Sequence, residues 1–142
     1  MLNKKSKANL IIAKICLTMK NENFYSVGVS RAYYAIFQVT RFLLDKNGFD
    51  YKLFKMNDPI AMNQRDYAHG SIRNALEFFL LNNGFNSKND LIFMRRMYTT
   101  FLKLYKWRLK GDYKDIVITK KNLEEAIKRA ENFIDELKKY DL

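Results

Sequence analysis

Apolar residues recur at spacings of three and four along most of the chain, and this period predicts a protein built of helices. A first helix is expected over about 5–20, with Leu10, Ala13, Ile15 and Leu17 turned inward. A second is expected over about 23–46, where Val29, Ala32, Ile36, Val39 and Leu43 keep the spacing and Gly48 supplies the stop. The third spans about 67–82, burying Ile72, Leu76, Phe79 and Leu80, with Gly84 as terminator. Asp90 can cap a fourth, reaching about residue 110, with Leu91, Met94, Tyr98, Phe101 and Tyr105 along one side. Thr119 caps a fifth, whose stripe of Leu123, Ala126, Ile127, Ala130, Phe133, Ile134 and Leu137 is the cleanest in the sequence. Lys55 to Arg65, with the single proline Pro59, is the one long polar connection, and Ile116-Val117-Ile118 is too short for a strand and is expected to pack on the core as a linker. The expectation is an all-α, five-helix, up-and-down bundle forming a single domain over residues 1–142.

Composition changes this picture in two ways. The 26 Lys and Arg against 15 Asp and Glu give a formal charge of +11, which suits a polyanionic partner such as RNA, DNA or an acidic protein surface, although an AT-rich genome alone produces such an excess of lysine. Cys16 is the only cysteine, so a disulfide framework or cysteine-built metal site within one chain is excluded and a cytoplasmic location is expected. Lys4, Lys5 and Lys7 before Leu10 to Ala13 mimic a signal peptide, but Lys14 breaks the apolar run, and no segment approaches the ~20 apolar residues that cross a membrane.

Within the second helix, Tyr25 to Phe37 sets Arg31 and the tyrosines Tyr33 and Tyr34 inside an apolar run. Gly28, Ala32 and Ala35 make a small-residue strip that lets another backbone approach, and Arg31 lies beside it, where a partly buried guanidinium needs a carboxylate, a carbonyl or a phosphate. The fourth helix is basic. Arg95, Arg96, Lys103, Lys106 and Lys110 share one face at roughly 100° per residue, either a solvated face or a phosphate-tracking one. Arg108 does not join them; it falls at the edge of the apolar side, four residues before Asp112 and beside Tyr113, where a structural ion pair and a functional arginine are both open. His69 is the only histidine, and a helix-start role and a proton-transfer role are both open to it.

The block Ser30-Arg31-Ala32-Tyr33-Tyr34-Ala35-Ile36-Phe37 resembles the opening of the HEPN domain family, Arg108-Leu109-Lys110-Gly111-Asp112-Tyr113 resembles its later Arg-x-x-x-Asp-Tyr element, and His69-Gly70 looks like the short segment before its third helix. The resemblance runs over about 10–137. It implies a five-helix HEPN-type bundle in a prokaryotic toxin–antitoxin or antiviral defence system, binding RNA or a nucleotide and acting with a minimal nucleotidyltransferase-type partner, as a homodimer or hetero-oligomer. Tyr34 and Arg31, with Arg95, Arg96, Lys103, Lys106 and Lys110, would then hold the nucleic acid or nucleotide. Many HEPN domains are metal-independent ribonucleases in which a histidine follows an arginine by four to six residues. Here Asp112 takes that place after Arg108, and an ionised aspartate is a poor general acid. The alternative is a ribonuclease toxin with an altered active site drawn from Arg108, Asp112, Tyr113 and His69, with no metal and no cofactor. The load of aromatic side chains exceeds what a small core needs, which argues for a partner surface.

Overall fold

A computed structural model describes residues 4–59, 61–63, 69–113 and 117–140, without the side chains of 69–70 and 111–113. Six α-helices are present among them: α1 (Lys4–Thr18), α2 (Glu22–Lys46), α3 (Tyr51–Asn57), α4 (His69–Asn82), α5 (Lys88–Tyr113) and α6 (Lys120–Leu137), with 3-10 turns at Ala61–Asn63 and Lys138–Tyr140. No strand occurs among the described residues, and none of their helices is long and apolar enough to cross a membrane.

The additional helix, α3, corrects the count of five and lies where a polar connection was expected. Asp50 caps it by accepting from the Leu53 amide, and Tyr51 and Phe54, one turn apart, are both buried, stacking edge-on with each other and against Phe49. Two anchors and a cap suffice for about two turns because tertiary burial, and not propensity, holds so short a helix.

Helix α2 is the axis of the bundle. It packs against α1, α4, α5 and α6, and Val29, Ala32, Ala35, Ile36, Val39, Leu43 and Leu44 are all buried. Any Cβ at position 28 would stand 2.6 Å from Leu123 Cδ1 and 3.0 Å from Cys16 Cβ, so Gly28 is what lets α1 and α6 close on α2. Gly48 and Gly84 follow α2 and α4 with φ of 65° and 83°, the left-handed conformation that ends a helix without a Cβ penalty. Helix α6 buries its whole expected stripe, and Thr119 with Asn122 closes a capping box at its start.

Three inward assignments change. Ile15 is 49% exposed, and Cys16 takes its place in the core beside Leu10 and Ala13. On α5 the buried line is Phe93, Met94, Met97, Phe101 and Leu104; Leu91 is exposed and Tyr98 is 48% exposed, because α5 presents its apolar side to α2 and α6 while Arg73 of α4 lies across Tyr98. Asp90 is not the cap itself. Ser87 and Asp90 exchange bonds, the Ser87 amide donating to Asp90 Oδ2 at 3.1 Å and the Asp90 amide to Ser87 Oγ at 3.2 Å, so the cap is Ser87 and Asp90 is the third residue of the helix. Ile118 is buried as the linker expectation requires, whereas Val117 is exposed, and Ile116 lies outside the described residues.

Candidate anion-binding site

Met97, Phe101, Leu104 and Arg108 succeed one another at spacings of four, three and four on α5, so Arg108 continues the buried line and stands where an apolar residue is expected. It is half-buried, with its Nε shut off from solvent. Two aromatic rings lie beneath it: its guanidinium carbon lies 5.1 Å from the Tyr34 ring centroid and 5.8 Å from that of Tyr33. Such contacts are worth about 0.5–2 kcal/mol each as exposure falls.

Tyr33 is the floor of this cluster. It is 1% exposed and touches Tyr34 at 5.6 Å, Tyr105 at 5.7 Å and Phe101 at 6.3 Å between ring centroids. Burial pushes its phenol well above the ordinary range; the positive charge of Arg108, and more weakly that of Arg73, opposes the shift, while Tyr105 and Tyr34 add to it. Tyr33 is therefore a neutral hydroxyl at every physiological pH. It can donate a hydrogen bond but cannot serve as a base.

The charges acting on Tyr33 identify a second arginine. Arg73, on the first turns of α4, is half-buried, and its guanidinium lies 3.9 Å above the Tyr98 ring. Its Nε is buried with no hydrogen-bond partner among the described residues. Two half-buried guanidiniums from different helices thus each lie over tyrosine rings, Arg108 over Tyr33 and Tyr34 and Arg73 over Tyr98. A ring face leaves the edge of a guanidinium, where its N–H donors lie, directed away from the ring, and that edge matches the paired oxygens of a phosphate. Sequence reasoning placed Arg31 among the residues that would hold the nucleic acid or nucleotide. Arg31 is instead exposed, and its Nη1 donates to Asn9 Oδ1 on α1 at 3.4 Å. Arg73 escaped notice because it sits beside Ile72 at the edge of the α4 stripe; an arginine next to a buried line and four residues after the only histidine is the signal that marks it.

The basic strip on α5 divides. Arg96 Nη1 meets Glu136 Oε1 at 3.1 Å, and Lys103 Nζ meets Glu125 Oε1 at 2.9 Å, with Arg129 Nε on the same oxygen at 3.1 Å. The Lys103 bond, reinforced by Arg129, holds the Glu125 carboxyl below its usual range. Lys103 also lies 5.0 Å from the Trp107 ring. These cations are engaged by α6. Arg95, Lys106 and Lys110 are exposed and form no ion pair among the described residues. At roughly 100° per residue, Lys106 and Lys110 lie about opposite Arg108 around α5, so the free lysines and the arginine cluster are separate surfaces.

His69 and Asp112 are described by backbone alone. His69 opens α4 one turn before Arg73, and Asp112 and Tyr113 end α5 one turn after Arg108, so the side-chain roles considered for these three lie outside the described residues. Three or more His, Cys, Asp or Glu side chains placed to share a metal ion do not occur among the described residues. Compared with family models, curated proteins and solved structures, the chain has no match.

Proposed function

We propose that this chain is a HEPN-type module that binds the phosphates of RNA or of a nucleotide through Arg108, over the Tyr33–Tyr34 pair, and Arg73, over Tyr98, and that it acts with a nucleotidyltransferase-type partner in a toxin–antitoxin or antiviral defence system. The observation that carries the reading is the half-buried Arg108 guanidinium of α5 over Tyr33 and Tyr34, with a second half-buried guanidinium, Arg73 of α4, over Tyr98. Guanidiniums partly withdrawn from water attract a phosphate more strongly than solvated lysines do, and Tyr34 and Tyr98 offer partly exposed rings against which a base can stack. Family resemblance in the Ser30 to Phe37 block supplies the defence setting and the partner.

The test is fluorescence anisotropy of a labelled single-stranded RNA with the full chain. Affinity should fall steeply with salt, unlabelled nucleotide should compete, and Arg73→Gln should weaken binding at least tenfold. Equal affinity of wild type and Arg73→Gln would remove the two-arginine site.

A second reading, a metal-independent ribonuclease with an altered active site, draws on one observation: His69 begins α4 at the turn before Arg73. An imidazole there would take the proton of a ribose 2′-hydroxyl while an arginine steadies the phosphate. RNA cleavage that persists in excess chelator and disappears in His69→Ala would favour this reading over binding alone.

A further inference from the structure

Helix α1 is apolar on two opposite faces. Leu10, Ala13 and Cys16 enter the core with Leu17 beside them, and on the other side Ala8, Ile11, Ile12, Ile15 and Met19 repeat at spacings of three and four, all exposed. Ile11 is 58% exposed, and past the turn Phe24 and Val27 of α2 are exposed as well. Together these side chains offer on the order of 500 Å² of apolar surface, near the upper limit of what a monomer leaves open. A second stripe with the period of a helix, on a helix whose first stripe already fills the core, has the form of a coiled-coil seam.

We propose that this seam receives an amphipathic helix of a partner protein whose flanking positions are acidic. The charges around it select that occupant. Lys7 and Lys14 border one edge, Lys5 and Arg31 the other, and Lys4 and Lys20 the ends; of these, Lys14 is paired with Glu131 at 3.2 Å, and the one acid among the described residues 4–31 is Glu22. A second copy fits poorly, because a two-fold axis through the strip sets the Lys7 and Lys14 edge against itself, in a chain of net charge +11. A lipid surface fits poorly as well. The strip is one helix wide, runs about 16 Å from Ala8 to Met19 at 1.5 Å per residue, and lacks tryptophan, the sole one being Trp107 on α5. A helix with Glu at the positions beside its own apolar seam meets both the width and the charge. The inference is independent of the arginine site and survives its failure.

The probe is a synthetic peptide of about three heptads with Leu at the seam and Glu at the flanks, which prevent it from pairing with itself; a second peptide carries Lys at the flanks. The full chain should bind the Glu peptide at least tenfold more tightly than the Lys peptide, with the preference shrinking as salt rises. The double variant Ile11→Ser/Ile15→Ser should lose at least tenfold in that affinity while its melting temperature and its RNA affinity stay at wild-type values. Equal affinity for the two peptides, or for wild type and the double variant, overturns the proposal. So does a wild-type dimer in sedimentation that the double variant turns into monomer, which gives the seam to a second copy. Flotation with phosphatidylserine vesicles that the double variant abolishes also overturns it, by giving the seam to lipid.

Discussion

Along its α6 flank, helix α5 sends Arg96 and Lys103 to Glu136 and Glu125, with Arg96 64% and Lys103 36% exposed. On its α2 flank the same helix sends Arg108 over Tyr33 and Tyr34, at the end of a line of core residues. The two regions carry the same charge in different surroundings. Solvated cations add little to stability, whereas a guanidinium half-withdrawn from water onto aromatic faces costs desolvation that a bound anion recovers. A count of basic residues therefore says little about where a phosphate would bind. Burial and the neighbours of each charge say more.

The comparison breaks most severely if the floor beneath Arg108 is removed. Phe101 is buried, 6.3 Å from the Tyr33 ring and 5.4 Å from that of Phe133, so it joins the arginine cluster to α6. Phe101→Ala should cost about 3–5 kcal/mol in chemical denaturation and carry RNA binding away with the fold. A loss below about 1 kcal/mol would mean that the cluster does not rest on the core.

Acid tests the opposite end of α5. Asp90 accepts from Tyr140 Oη at 2.6 Å and from Ser87, and these bonds, the Tyr140 one first, lower its carboxyl. A carboxyl with a lowered folded pKa contributes stability that is complete above its unfolded value of about 3.9 and is lost as pH falls through the lower folded value. Melting temperature should thus drop on acidification below about pH 4, and Tyr140→Phe should flatten that drop. An unchanged acid limb in the variant would show that the bond does not anchor the α5 start to the C-terminal turn.

The smallest effect belongs to the α6 flank. Lys103→Gln should change stability by about 0.2–1 kcal/mol, since the pair is largely solvated and salt already screens it, and RNA affinity by less than twofold. A tenfold loss of affinity there would merge the two regions into a single basic surface.

Much of the fold could be read from the chain because local period and burial agree: the α4 line of Ile72, Leu76, Phe79 and Leu80 and the full α6 stripe lie where the spacing puts them. Helix α1 defeated that reading, since apolar residues on both faces leave no single side for the period to choose, and Ile15 was assigned to the wrong one. Helix α3 was hidden by its polar neighbours, although Asp50, Tyr51 and Phe54 hold its cap and both anchors. Of the candidate site, Arg108 and Tyr34 were legible as a charge and a ring out of keeping with an apolar run. The place of Arg73 was not, because its guanidinium reaches the Tyr98 ring only through the packing of α4 against α5, a long-range arrangement that no local spacing encodes.

The central claim is that Arg108 is held for an anion and not for the fold, and one variant examined by two methods decides it. Arg108→Gln keeps the bulk and removes the charge. Its RNA affinity should fall at least tenfold while its melting temperature stays within a few degrees of wild type, as expected when the lost interaction is with a ligand. Unchanged RNA affinity, or a loss of affinity that only follows the loss of folded protein, would contradict the account.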